Sequence, residues 1–207
     1  MNPGQMRDWI AGRLDPLDGE DNLREPHGDD WDPPLDQQVD WVGAAVLVPL
    51  IEREGGLSVL LTRRADTMRK HKGQVAFPGG RRDPGETAWQ TALRESEEEV
   101  GLDRGFVSLA GLSTRYRTGT GYVVTPVVGF VQPGFTITPN PDEVADVFET
   151  PFEWLMDPLN HELREWEMPD GAKRTYYAMT HDERYIWGAT AGMLKALYDR
   201  LYGAPVA

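Results

Sequence analysis

Glu95, Glu98 and Glu99 fall on one predicted helix, with Arg94 directly before them, Glu86 further upstream, and Gly80 and Gly101 on either side. The full spacing is G-x5-E-x7-R-E-x2-E-E-x-G, followed by Leu102. Carboxylates grouped in this way are hard oxygen donors, the type that Mg²⁺ and Mn²⁺ prefer while retaining several waters. The helix repeat puts the three acids within about 100° of arc, and Glu97 points elsewhere. Like charges at i and i+4 cost roughly 0.2–0.5 kcal/mol, and acids in the last turn oppose the helix dipole. A divalent cation removes that conflict. Arg94, four residues before Glu98, is placed to fix that carboxylate through a two-pronged contact.

The elements that must position these residues are legible around them. Thr87 with Gln90 three residues later forms a capping box that starts a helix running to Val100, and Gly101 suits a left-handed end. Trp89, Leu93, Ser96 and Val100 make the stripe that should face the core. Two β-like runs, Val42–Ile51 and Leu57–Thr62, flank a Glu54-Gly55-Gly56 turn. Further strands are predicted at Val75–Phe77, Phe106–Arg117, Tyr122–Gln132, Phe135–Thr138 and Thr175–Met179. Periodicity predicts a second long helix over Ala189–Tyr202 and a short one beginning near Pro151. Strands and helices mixed in this order indicate an α/β or α+β sandwich.

Residues 1–40 stand apart, with eleven acids, three basic residues and five prolines. Low hydrophobicity leaves most of this segment without a core of its own, so it reads as an arm before a domain at 41–207. Met6–Leu14 could form a short helix that packs on the body or on a second subunit, which leaves room for a homodimer. The alternative is a partly disordered tail.

The composition of the 207 residues, 40% hydrophobic and 27% charged, is that of an ordinary soluble globular chain. The absence of cysteine excludes disulfides, zinc–thiolate sites and thiol catalysis. The longest apolar run, Val42–Ile51, is too short to span a bilayer, and the first residues show no secretory signal, so a cytoplasmic protein is expected. A net charge of −13 argues against binding to nucleic acid or an anionic membrane. Between Leu60 and Arg82, however, seven basic residues stand against one acid. A basic island beside an acidic helix suits a metal-assisted phosphate site.

The glutamate pattern resembles the Nudix box, the catalytic loop-helix-loop of enzymes that hydrolyse a nucleoside diphosphate linked to another group. All of its polar positions are filled, and Ser96 stands where the general pattern has a bulky aliphatic residue. The resemblance implies an α/β/α sandwich with a mixed β-sheet and Mg²⁺ or Mn²⁺ as cofactor. By position, Glu98 and Glu99 become metal ligands, Glu95 a ligand or an aid to water activation, and the carbonyl of Gly79 or Gly80 a further ligand. Glu86 is expected to orient the loop or helix, and Arg94 to serve the catalytic carboxylates. Glu143, in a turn-rich stretch, and Glu95 are the two candidates for the general base.

The preceding segment, Leu60–Gly80, resembles a second motif, L-L-T-x-R-[S/A]-x3-R-x3-G-x3-F-P-G-G, of the coenzyme A pyrophosphatase branch. It implies a small-molecule substrate, coenzyme A or an acyl-coenzyme A. Arg64, Arg69, Lys70 and Lys72 would offset phosphate charge that the metals do not reach, and Phe77 would shape the site entrance. ADP-ribose, NADH or a dinucleoside polyphosphate is the alternative substrate, and a non-catalytic nucleotide-binding module the alternative class.

Overall fold

The computed structural model describes residues 3–19, 27–28, 40–67, 72–167, 171 and 173–203. In chain order, these residues form helix α1 (Pro3–Ala11) and strands β1 (His27–Gly28), β2 (Val42–Arg53), β3 (Gly56–Arg64), β4 (Val75–Ala76) and β5 (Gly79–Arg81). Helix α2 (Ala88–Val100) follows, then β6 (Val107–Leu112), β7 (Tyr116–Arg117), β8 (Tyr122–Val131) and β9 (Val144–Pro151). The chain closes with α3 (Phe152–Leu155), β10 (Glu162–Glu167), β11 (Lys173–His181), β12 (Arg184–Trp187) and α4 (Ala189–Tyr202).

A strand apolar at nearly every position is stable only when both its faces are covered, and β2 and β8 are such strands. They pair in parallel at the centre of a nine-stranded mixed sheet, from Val42 opposite Tyr122 to Ile51 opposite Val131. Alternation along β2 feeds two cores. Ala45, Leu47 and Ile51 pack on Ala88, Ala92 and Val100 of α2. Ala44, Val48 and Leu50 belong to the opposite core, with Ile10 of α1, Leu194 and Leu197 of α4, and Met179 and Ile186 of a small antiparallel sheet, β10-β11-β12. The result is a mixed α+β fold in which that second outer layer holds strands as well as helices.

One feature of the large sheet creates the site. The β2–β3 hairpin is paired only from Leu50 opposite Val59 to Arg53 opposite Gly56. Beyond that the strands diverge, and the 72–81 segment fills the split, with β4 on the edge of β3 and β5 on the edge of β2. Pro78, which has no N–H to give to a ladder, sits between these pairings and accepts the Leu47 N–H at 2.9 Å.

Several sequence expectations change. Phe106–Arg117 is broken into β6 and β7, and Phe135–Thr138 is not a strand. Strands β1, β5, β9, β10 and β12 were not expected; in β9 and β10 polar residues hide the alternation. In β9 the Glu149 carboxylate is held by Arg53 at 2.6 and 2.9 Å, and Asp146 pairs with Arg184 at 2.5 Å. The N-terminal helix runs over Pro3–Ala11, and its Ile10 is fully buried in the core. Arg200 of α4 then clasps the following turn, bonding the Arg13 carbonyl at 2.6 Å and Asp15 at 2.5 Å. No helix among the described residues is long and apolar enough to cross a membrane.

Candidate active site

Helix α2 begins and ends as its sequence dictates. The Thr87 side chain accepts from the Gln90 N–H while the Gln90 side chain accepts from the Thr87 N–H, closing the capping box. Gly101 ends the helix in the left-handed region at φ 66°. Ser96 faces the core and satisfies its hydroxyl locally, donating to the Ala92 carbonyl at 2.7 Å, so the small residue costs no unpaired polar group. Trp89 is only partly buried; Thr91, Ala92 and Glu99 complete the covered face instead.

Arg94 organises the acids around it. Its guanidinium forms a two-pronged contact with Glu86, at 2.8 and 3.0 Å, rather than with Glu98. The remaining nitrogen, Nη1, is shared between Glu95 at 2.8 Å and Glu98 at 3.1 Å. Glu86 also accepts from the Thr91 hydroxyl at 2.7 Å and the Asp83 N–H at 3.1 Å. The Arg94 and Thr91 hydrogen bonds hold its carboxyl down at about 2, well below the usual range. Thr91 is a positioning residue that the sequence reading missed. Its only linear signal is a hydroxyl on the helix turn next to Glu86.

The three helix acids do not share one environment. Side-chain exposure is 57% for Glu98, 17% for Glu95 and 5% for Glu99. Burial pushes Glu99 up to about 7, against the opposing pull of the Gly79 N–H and Arg64 and with help from neighbouring Glu95 and Glu143. Burial likewise raises Glu95, partly offset by Arg94. Glu97 leaves this group, as expected, and pairs with Arg104 at 2.6 Å.

The split sheet brings β5 against these acids. The Gly79 N–H donates to Glu99 Oε2 at 3.0 Å, and a Cβ at Gly80 would lie 2.5–2.6 Å from the Glu95 carboxylate atoms. Only glycine admits that approach. Arg64, at the end of β3, stands 3.8 Å from Glu99 Oε1.

The segment expected to be a strand at Phe135–Thr138 instead closes the end of α2. Thr138 N–H donates to the Val100 carbonyl at 2.8 Å and Asn140 N–H to the Glu99 carbonyl at 2.9 Å, satisfying groups that a helix end leaves open. The next turn carries Glu143, fixed by its N–H to Asn140 and by its carbonyl accepting from Ala65 at 2.8 Å. Its carboxylate lies close enough to contribute to the raised values of Glu95 and Glu99.

The remaining candidates separate. Lys72 is exposed in the turn before β4, and Arg69 and Lys70 lie outside the described residues. Phe77, expected at the site entrance, is 3% exposed and belongs to the core shared with α1 and α4.

The donor set fits a hard divalent cation, although among the described residues no three acids or histidines converge as a ready-made cage. Arg94 draws Glu95 and Glu98 to itself, while Glu99 turns to Gly79. A buried carboxylate held near neutrality by desolvation is a group whose charged form a cation would stabilise.

The NUDIX domain family model matches residues 41–170. The chain is 39% identical over 159 residues to the "Uncharacterized Nudix hydrolase NudL" of Yersinia pestis (strain Pestoides F), covering 76% of this chain and 79% of that protein. The same figures hold for the protein of that name from Yersinia pseudotuberculosis serotype O:1b. Among solved structures, a C. elegans Ap4A hydrolase binary complex superposes with a TM-score of 0.47 at 22% identity, over 54% of this chain and 81% of that one. RenU, a Nudix hydrolase from M. smegmatis, superposes with a TM-score of 0.46 at 26% identity, over 54% and 71%. With the loop-helix-loop in place and a family match over more than half its length, the chain belongs to the Nudix hydrolase family.

Proposed function

We propose that this Nudix hydrolase cleaves the diphosphate of coenzyme A or an acyl-coenzyme A, releasing 3′,5′-ADP and 4′-phosphopantetheine or its acyl form. One observation carries the reading. The Leu60–Gly80 segment, whose motif resembles the coenzyme A pyrophosphatase branch, supplies part of the site itself, through Arg64 at 3.8 Å and the Gly79 N–H at 3.0 Å from Glu99.

Glu95, Glu98 and Glu99, with the Gly79 carbonyl, would hold Mg²⁺ or Mn²⁺, which supplies charge neutralisation and a more acidic water. The chain's own groups do the rest. A water oxygen bonds to one phosphorus, the bridging P–O bond breaks, and the water proton passes to the Glu143 or Glu95 carboxylate. Arg94, anchored by Glu86, keeps Glu95 oriented. Arg64, with Arg69, Lys70 and Lys72, offsets phosphate charge, including that of the 3′-phosphate. No covalent enzyme intermediate is required. We assign the activity to residues 41–207 and to the cytoplasm.

Incubation with coenzyme A and Mn²⁺ in ¹⁸O-labelled water, followed by mass spectrometry, tests the proposal. The expected products are 3′,5′-ADP and 4′-phosphopantetheine, one of them carrying the label and so identifying the attacked phosphorus. A clear preference for ADP-ribose, NADH or a dinucleoside polyphosphate in a substrate panel would move the assignment to that compound. Hydrolysis of none of them would leave a nucleotide-binding module.

A further inference from the structure

Trp41, at the entry to β2, lines a cavity of about 420 Å³ where the loop leading into α2 passes over Gly43. That passage is pinned by the Arg82 N–H donating to the Gly43 carbonyl at 3.0 Å. The volume falls within the roughly 300–1,000 Å³ typical of small-ligand pockets. Asp40, Arg81 and Asp83 stand around it. Among the described residues these three side chains have no hydrogen-bond or ion-pair partner. The Arg117 guanidinium lies 5.8 Å from the Trp41 ring centroid and braces the indole.

The cavity adjoins the carboxylates without containing them. Glu86 borders it and binds Arg94, which in turn binds Glu95. Cavity and Glu95 are therefore joined by two hydrogen bonds through one guanidinium. Its chemistry is that of a nucleobase site. An indole offers a stacking surface worth about 1–3 kcal/mol per base. A carboxylate accepts only, so it selects a ring that carries an amino group. An arginine with no protein partner is suited to a second phosphate.

We propose that this cavity takes the adenine of the substrate, stacked on Trp41 with its amino group donating to Asp40 or Asp83, and that Arg81 takes the 3′-phosphate. The 3′-phosphate assignment rests on the coenzyme A reading above; the base site requires only an adenine nucleotide.

Calorimetric titration of 3′,5′-ADP and of 5′-AMP into the full chain, without divalent cations, tests both parts independently of turnover. Trp41→Ala weakens both ligands about tenfold, which is the loss of one stacking contact, and Trp41→Phe recovers most of it. Arg81→Ala weakens 3′,5′-ADP about tenfold and 5′-AMP by less than about twofold, since only the former carries the phosphate it would hold. A Trp41→Ala protein that melts like the wild type and binds both ligands as tightly overturns the base site, as does wild-type protein that binds neither. If Arg81→Ala weakens 3′,5′-ADP no more than 5′-AMP while Trp41→Ala still loses 5′-AMP, the base site stands and the 3′-phosphate assignment falls, whether or not the protein hydrolyses coenzyme A.

Discussion

The Gly79 N–H donates to the Glu99 carboxylate at 3.0 Å, joining the segment that fills the divided sheet to the last turn of the glutamate helix. This bond holds in place an acid that its surroundings would rather keep protonated. Glu99 is 5% exposed, and burial raises it to about 7.

Replacing that acid should stabilise the cation-free protein at alkaline pH. The folded value lies above the ordinary glutamate value of about 4.3, so folding favours the protonated form. Glu99 therefore costs no stability below the unfolded value, and destabilises progressively as pH rises through the folded value near 7. Glu99→Gln should be more stable than wild type by about 3 kcal/mol at pH 8 and close to it at pH 4. Urea unfolding at both values, with chelator present, measures the difference. Adding Mg²⁺ at pH 8 should stabilise the wild type and leave the variant nearly unchanged.

The Glu86–Arg94 fork should matter through geometry rather than contact with the reacting atoms. Glu86→Gln keeps the shape but loses a charge-assisted pair, at a cost of about 1–3 kcal/mol. Glu86 has a depressed value, about 2. Its stabilisation is therefore complete above the unfolded value and lost as pH falls toward 2. The variant should show a shallower acid limb in a circular-dichroism pH titration. Arg94→Lys, which cannot form the fork, should lower kcat more than it raises KM.

Glu143 reaches the site from outside the helix, so its role can be separated from metal binding. Glu143→Gln should lower kcat by about 10²-fold or more at saturating Mg²⁺ if it takes the water proton, with the Mg²⁺ dependence of the rate unchanged. A variant with wild-type kcat would remove Glu143 from the reaction and leave Glu95 as the base.

Ile10 is the anchor of the N-terminal helix, fully buried in the larger core that also holds residues of α4 and β2. Ile10→Ala should destabilise the whole protein by about 2–5 kcal/mol, the range for a buried aliphatic truncated to alanine. Chemical denaturation should show one cooperative transition at lower denaturant, because the helix shares its core with the body. A separate early transition of unchanged main midpoint would instead mark α1 as an independent appendage.

The elements of the site were legible where a local rule governs them. Thr87 and Gln90 announce a helix start and Gly101 its end, because capping is settled within three or four residues. The β2 and β8 runs were legible because a strand buried on both faces shows no polar interruption. The separation of Glu97 from its neighbours followed from helical angle alone. Local rules failed for β9 and for Phe135–Thr138. The charges of β9 are neutralised by Arg53 and Arg184 from distant strands, and the latter segment gives its backbone to the end of α2 instead of to a ladder.

The sequence by itself determined the identities and spacing of the acids, and with them the family. Tertiary structure decided how those chemically identical side chains differ. Glu98 stays in solvent, Glu95 is drawn between Arg94 and the bare backbone of Gly80, and Glu99 is buried beneath Gly79 and Arg64. Helical angle places a side chain on a face, but its charge depends on what covers that face. Here the covering groups come from β3, β5 and the turn at Glu143; β5 enters where β2 and β3 diverge, and the turn is tied to α2 by the Asn140 N–H on the Glu99 carbonyl.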